Sequence, residues 1–344
     1  MRGKLKIFLG YAAGVGKTYQ MLTEAQHLKG QGRDVVIAYF EPHDRKETIA
    51  LTDGLEFVPR KRYEHRGSLF EDMDTEAVIA RHPEVAAVDE FAHTNVPGSR
   101  LLKRWQDVME ILEAGIDVLT SLNVQHIESL NDQVWHVTGI RVRETVPDWV
   151  VGEADEVVMI DVTPRALIHR LERGVVYAPD KAQKAIENFF TESNLTALRE
   201  LAMRQTAHQL EEKRDEVRSP QPVLNRRPAS NEKILLWLTP HPSAAMLIRR
   251  GRRVADYLGA PCTAVYADKD AQALEPWLNF CRNLRIEAQS IADPEPAKGV
   301  ADHARQQGIT QVYVTRHAPE VNKLVNLARD MQVTIVAERV RHDH

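Results

Sequence analysis

Short, nearly continuous apolar runs punctuate the first half of the chain, with stretches of helical periodicity between them. Residues 4–9 (KLKIFL), 34–39 (DVVIAY), 84–88 (EVAAV), 117–122 and 156–161 (EVVMID) read as strands. Helical spacing predicts helices over 17–29, near 70–81 and over 102–114, the last stopped by Gly115. The strand runs are apolar throughout rather than alternating, as strands covered on both faces are. Strands and helices in this alternation imply right-handed crossovers and a parallel sheet, so the first half is an α/β domain.

From Thr163 to about Lys213 the pattern turns purely helical, with Leu195, Leu198, Leu201 and Ala202 at helical spacing, and predicts a helical appendage. Pro220, Pro222 and Pro228 then stand among charged and small polar residues without periodicity, so 217–231 reads as a linker. A second α/β pattern follows. Strands are predicted at 234–238, 261–267, 284–291, 311–315 and 333–337, and helices at 243–258, 271–283, 300–307 and 322–330. That set suffices for a small doubly wound domain. The expected division is therefore 1–216, a linker over 217–231, and 232–344.

Composition alters this picture little. The chain is 43% hydrophobic and 27% charged, so each half can bury an ordinary core. Net charge is -4, which gives no global basic field for nucleic acid or an anionic membrane, and nucleic acid is not expected as a partner. No run approaches the ~20 apolar residues that span a bilayer. The apolar stretch behind the basic N-terminus is too short for a secretion signal. Cys262 and Cys281 are too few for a disulfide framework and read as reduced thiols. A soluble cytoplasmic protein is the expectation.

The chemistry concentrates after the first strand, in Gly10-Tyr11-Ala12-Ala13-Gly14-Val15-Gly16-Lys17-Thr18. Strand, glycine turn and helix stand in the order that a phosphate cradle requires. Glycines let backbone N–H groups converge on phosphate oxygens, and the helix N-terminus adds partial positive charge. Gly14, Val15, Gly16, Lys17, Thr18 and Tyr19 are the candidate nucleotide-binding residues, with Lys17 reaching the β/γ-phosphates of ATP and Thr18 ligating Mg²⁺. One position departs from the usual spacing: Tyr11 stands where a glycine is normal, and Gly10 lies one step further out.

The run Val85-Ala86-Ala87-Val88-Asp89-Glu90 is a buried strand ending in acids. Asp89 is the candidate metal-supporting carboxylate, and Glu90 the candidate catalytic group that orients or deprotonates water. Arg100 and Arg104 follow and could face the γ-phosphate, although a solvated helix face is the expectation for both. A surface turn is the expectation for His126, a solvated face for Arg249, Arg250, Arg252 and Arg253, and packing for Trp135 and Trp149.

Longer runs carry a family likeness. Asp89-Glu90-Phe91-Ala92-His93-Thr94-Asn95-Val96-Pro97-Gly98-Ser99-Arg100, then Lys103-Arg104-Trp105-Gln106-Asp107, resemble the N-terminal sensor region of the KdpD potassium-responsive sensor kinases. So do Asn123 to Asp132, Arg143 to Asp148, and Asn194-Leu195 through Ala202, and in that family the position of Tyr11 is also not glycine. The resemblance runs roughly from Gly3 to Asp215. The second domain is similar to the universal-stress-protein-like domain that follows in the same family, with Leu247-Ile248-Arg249-Arg250 and Thr263-Ala264-Val265-Tyr266 in place. It lacks the Gly-x-x-Gly phosphate loop after the fourth strand, where Thr315-Arg316-His317-Ala318 stands, so no ATP is expected there.

The resemblance implies more about ligands and role. Some family members bind cyclic di-AMP in the second domain, which makes Ser243, Thr263, Ala264 and Tyr266 candidates, with His241 in place of a serine and Cys262 in place of a phenylalanine. Membrane helices, the phosphoacceptor-histidine helices and the kinase core have no counterpart in these residues, so histidine kinase activity is not expected of them. The expected fold is a P-loop NTPase-like parallel sheet domain with a helical appendage, followed by a universal-stress-protein-like doubly wound domain. The expected role is an ATP- and Mg²⁺-binding regulatory module of potassium and osmotic two-component signalling. It would act through a protein partner, whether kinase, response regulator or transporter, or as a homodimer. The alternatives are a slow Mg²⁺-dependent ATPase switch and a cyclic di-AMP sensor.

Overall fold

The apolar runs of the first half assemble into one six-stranded parallel sheet. The computed structural model describes residues 1–42, 45–173, 189–218 and 232–337, and the chain divides into two compact units, Met1–Asp215 and Glu216–His344. In the first unit the strands are β1 (Leu5–Gly10), β2 (Val35–Tyr39), β3 (Glu56–Phe57), β6 (Val85–Val88), β7 (Asp117–Asn123) and β8 (Glu156–Met159), in spatial order β3-β2-β6-β7-β1-β8. Every pairing in it is parallel. Successive strand residues feed opposite cores. Leu5, Ile7 and Leu9 of β1 pack on one face with Ala86 and Val88, while Phe8 packs on the other with Val85 and Ala87. Burial on both faces accounts for the unbroken apolar runs.

The helices of the first unit cover these faces: α1 (Lys17–Gly30), α2 (Lys46–Ala50), α3 (Thr75–Arg81), α4 (Arg104–Glu113), α5 (Asn131–Thr138), α6 (Asp148–Gly152), α7 (Pro164–Glu172) and α8 (Glu192–Arg218). Helices α7 and α8 occupy the stretch read as a helical appendage, and residues 174–188 between them lie outside the described residues. Of the segment read as a linker, 217–218 end α8 and 219–231 lie outside the described residues.

One predicted element differs. The helix expected near 70–81 begins only at Thr75, because Phe70 to Asp72 belong to an antiparallel hairpin of β4 (Lys61–His65) and β5 (Ser68–Asp72). Arg66 and Gly67 between them both have positive φ, 50° and 77°, the two-residue turn that suits a twisted hairpin. The Asp74 carboxylate then caps α3 by accepting from Ala77 N.

The second unit has strands β9 (Ile234–Leu238), β10 (Cys262–Ala267), β11 (Glu287–Ile291), β12 (Gln311–Thr315) and β13 (Gln332–Val336), all parallel in the order β11-β10-β9-β12-β13. Helices α9 (Ala244–Leu258), α10 (Ala271–Asn283), α11 (Pro296–Gln307) and α12 (Val321–Leu327) connect them. Two cores flank the sheet: Ile234, Leu236 and Leu238 point into one, Leu235 and Trp237 into the other. Helix α11 begins four residues before the expected 300, with Pro296 in its first turn, where its missing N–H costs nothing. Among the described residues no helix is long and apolar enough to cross a membrane.

Candidate functional site

The glycine loop joins the end of β1 to the start of α1, and its conformation explains which positions are glycine. Gly14 and Gly16 have φ of 88° and 109°, the left-handed region that side chains avoid. At Gly10 the constraint is space: a Cβ there would lie 2.6 Å from Val15 Cγ2 and 2.9 Å from Lys17 Cδ. Tyr11 has no positive φ, its ring is fully buried in the core, and its hydroxyl donates to Val162 O at 2.9 Å. The glycine missing at 11 is thus not needed by the backbone there.

Lys17 lies under the loop, only 8% exposed, and donates from Nζ to Ala12 O at 3.1 Å. Burial lowers its pKa to about 8, against the raising influence of Asp89. No acid stands in the first turn of α1. The Thr18 hydroxyl donates to both carboxylate oxygens of Asp89, at 3.1 and 3.2 Å. Asp89 is buried at the end of β6 and also accepts from Ser121 Oγ. Burial raises its pKa, and the Ser121 hydrogen bond opposes that. Tyr19, on the next residue of α1, is 42% exposed.

Strand β7 lies between β1 and β6 and supplies the floor. Its register places Asn123 opposite Gly10 and Thr120 opposite Val88. Ser121 and Asn123 share a face, since strand side chains alternate. Asn123 Oδ1 is buried and without a hydrogen-bond partner among the described residues.

Glu90 has φ of 57°, uncommon for a residue with a side chain. The turn is closed by His93 N donating to Glu90 O at 2.9 Å. Arg104, at the start of α4, is fully buried rather than on the solvated face expected for it. Its guanidinium pairs with Asp72 at the end of β5, lies 3.5 Å from the centroid of the Tyr39 ring, and reaches Asp89 O at 3.4 Å and Glu90 Oε2 at 3.9 Å. Arg100 does take the solvated face, paired with Glu110. His126 also differs from expectation. It is half-buried, its Nδ1 lies 2.8 Å from Glu144 O, and burial lowers its pKa, with Lys17 and Glu90 in electrostatic range. Ser121, Tyr39 and Asp72 have no role expected from the sequence, and Asn123 begins one of the runs that carry the family likeness. Ser121 and Asn123 did leave a signal, as polar residues closing an otherwise apolar strand.

In the second unit the C-terminal ends of β9 and β12 border a cavity of about 340 Å³ lined by Trp237, Thr239, His241, Lys269, Asp270 and His317, among others. The His241 and His317 rings stack at 4.0 Å, and Ser243 Oγ lies 2.7 Å from His241 Nδ1. Thr263 and Ala264 instead line a separate cavity of about 170 Å³ with Lys233 and Pro261. Arg249 lies over the Phe280 ring and Arg252 pairs with Asp256. Trp149 packs edge-on against Trp105, and Arg141 lies over Trp135. Cys262 and Cys281 are free and buried, with thiols pushed up to about 12 by burial.

Fold and site together define a two-unit α/β protein in which a glycine loop and an acidic strand end face one another across a parallel sheet. The family profile described as "KdpD: Osmosensitive K+ channel His kinase sensor domain" matches residues 1–210. The chain is 42% identical to the sensor protein KdpD of Escherichia coli over 353 residues, covering 98% of this chain and 39% of that protein. It is 49% identical to a putative sensor protein KdpD of Synechocystis over 257 residues, 75% of this chain and 68% of the other. Against the sensor protein KdpD of Clostridium acetobutylicum the identity is 39%, over 96% of this chain and 37% of that one. The chain belongs to the KdpD family, and it spans less than two fifths of the length of the Escherichia coli and Clostridium relatives just named, to the nearest few percent.

Proposed function

We propose that this chain is an ATP-binding regulatory module of potassium and osmotic two-component signalling, with a P-loop domain over 1–216 and a universal-stress-protein-like domain over 232–344. The observation that carries the reading is the contact of the Thr18 hydroxyl with the Asp89 carboxylate beside buried Lys17, at the N-terminus of a helix with no acid in its first turn. A hydroxyl and a carboxylate are hard oxygen donors and fit Mg²⁺, Thr18 directly and Asp89 through water. Bound there, Mg²⁺ would supply positive charge to offset that of the phosphates.

The chain's own groups would do the rest. The N–H groups of residues 14–18 would meet the phosphates at the helix end, and Lys17 would leave Ala12 O for the β/γ-oxygens. Asn123, at the end of β7, offers its amide to the terminal phosphate or to a water beside it. The signalling partner fits the same reading: a kinase core or response regulator would be biased by whether the loop is filled.

A second reading, a slow ATPase, is favoured by Glu90. A left-handed backbone at an acid beside Asp89 is the kind of local strain that accumulates at working sites. Glu90 would orient a water whose oxygen bonds to the γ-phosphorus. The bond to the β-γ bridging oxygen breaks, its electron pair leaves with ADP, and the water's proton passes to the Glu90 carboxylate. Calorimetry with Mg²⁺ and ATP on the native chain and on Lys17→Ala tests binding, with phosphate release followed in parallel on the native chain and Glu90→Gln. Binding lost in Lys17→Ala supports the loop as the site, and native binding that survives the substitution would overturn it. Release lost only in Glu90→Gln selects the ATPase.

A further inference from the structure

We propose that Arg170 is the positioning residue of the glycine loop, gripping the Gly14 and Val15 carbonyls from outside so that the N–H groups of Val15 and Gly16 turn toward the nucleotide. This rests on the reading of that loop as the ATP site. Strand β8 lies beside β1, with Met159 opposite Leu9 and Ile160 N donating to Leu9 O at 2.8 Å, so the chain leaves the sheet next to the loop. Val162 O then accepts from the Tyr11 hydroxyl at 2.9 Å, and the Thr163 hydroxyl caps α7 by accepting from Ala166 N. Leu167 and Leu171 of α7 bury their side chains in the core that also holds Val15. Arg170, three residues after Leu167, stands at the exposed rim of that apolar face. Its Nη1 donates to Gly14 O at 3.3 Å and reaches Val15 O at 3.5 Å.

Two successive carbonyls held by one cation fix more than themselves. A trans peptide group is planar, and its C=O and N–H point in opposite directions. No cis peptide bond occurs among the described residues. The Gly14 carbonyl shares its plane with Val15 N–H, and the Val15 carbonyl shares its plane with Gly16 N–H. Arg170 therefore keeps both N–H groups on the side of the loop away from its guanidinium. The ladder of α1 cannot do this, because it begins with Gln20 N on Gly16 O at 3.0 Å, one peptide too late. Gly14 and Gly16 flank Val15 with φ of 88° and 109°, and glycine lets neighbouring peptide planes rotate at little cost, so an outside grip has a task there. The charge works in the same direction. A cation on a carbonyl oxygen polarises the N–H at the other end of that peptide and makes it a stronger donor. Tyr11, the residue that departs from the usual glycine, belongs to the same tether through Val162.

The test compares the full native chain with Arg170→Met and Arg170→Lys, by calorimetry with Mg²⁺ and ATP and by amide NMR of the nucleotide-free proteins. Arg170→Met removes the donors and the charge. It should weaken ATP binding about tenfold or more and move the Val15 and Gly16 amide signals, while those of Ile7 and Leu119 within the sheet stay in place. Arg170→Lys keeps the cation and a donor and should recover part of the affinity. Native affinity in Arg170→Met would overturn the proposal. So would lost affinity with the Val15 and Gly16 signals unmoved, since Arg170 would then meet the phosphates itself or act through its field alone. Sheet signals that move together with those of the loop would mark a general structural role and also overturn it. Absence of ATP binding by the native chain would instead remove the nucleotide reading, and the amide signals would then decide alone whether Arg170 orders the loop.

Discussion

Thr18 and Asp89, 71 residues apart in the chain, meet at 3.1 Å through hydroxyl and carboxylate. Removing the hydroxyl would delete the proposed Mg²⁺ donor and leave the loop's backbone alone. Thr18→Ala should keep its far-ultraviolet spectrum and its weak binding of ATP without metal. It should lose most of the gain that Mg²⁺ gives, about tenfold or more, in paired titrations with and without the metal.

Gly10→Ala carries no backbone penalty of the left-handed kind, yet it should abolish nucleotide binding. The added methyl would press on Val15 and on the Lys17 stem, at 2.6 and 2.9 Å. Calorimetry on a variant with native circular dichroism checks this. Full affinity would show that the lysine stem can move aside.

Lys17 has an ordinary value of 10.5 in the unfolded chain and about 8 when folded. Between these values the unfolded state binds more protons, so the stability of the nucleotide-free protein should rise as pH climbs through that window. Below it both states are protonated, and the burial penalty is felt in full. Phosphates arriving at the ammonium raise its pKa, so ATP binding above pH 8 should take up a proton. Calorimetry in buffers of different ionisation enthalpy measures that uptake, and Lys17→Met should abolish both effects.

Arg104→Met strands the buried carboxylate of Asp72 and removes the cation over Tyr39. It should destabilise the first unit by about 3–5 kcal/mol in urea unfolding. The double variant Arg104→Met with Asp72→Leu should recover much of that loss, because no charge is then left buried alone. Equal losses in single and double variants would mean that packing rather than charge sets the cost.

Much of the first unit is legible in the sequence, because its cues are local. Apolar runs give the buried parallel strands, and the glycine loop, lysine and threonine lie within nine residues that one strand and one helix must join. The hairpin 61–72 was missed for a physical reason. Its strands are largely exposed on both faces, so no period-two pattern marks them, and Arg66-Gly67 is a weaker turn signal than Asn-Gly. The missed hairpin hid Arg104 in turn: its burial depends on Asp72, which only the hairpin brings to it. His126 was misplaced similarly, since its partner Glu144 is remote in sequence. Gly10 shows the reverse case, a departure from motif spacing whose cause, the packing of a lysine stem, exists only in three dimensions.

The strand between the two halves of the site also governs when the site can exist. Loop and acids belong to β1 and β6, but β7 separates them, and two strand spacings, about 9–10 Å, set the width of the gap. A ribosome releases the loop and then the acids well before residues 117–123, so for that interval the growing chain owns Lys17, Thr18 and Asp89 and no frame to hold them. On the proposed function, nucleotide would be gripped only after β7 inserts between β1 and β6. ATP in the surrounding solution would then favour chains that have completed that insertion over those that paired β1 and β6 directly.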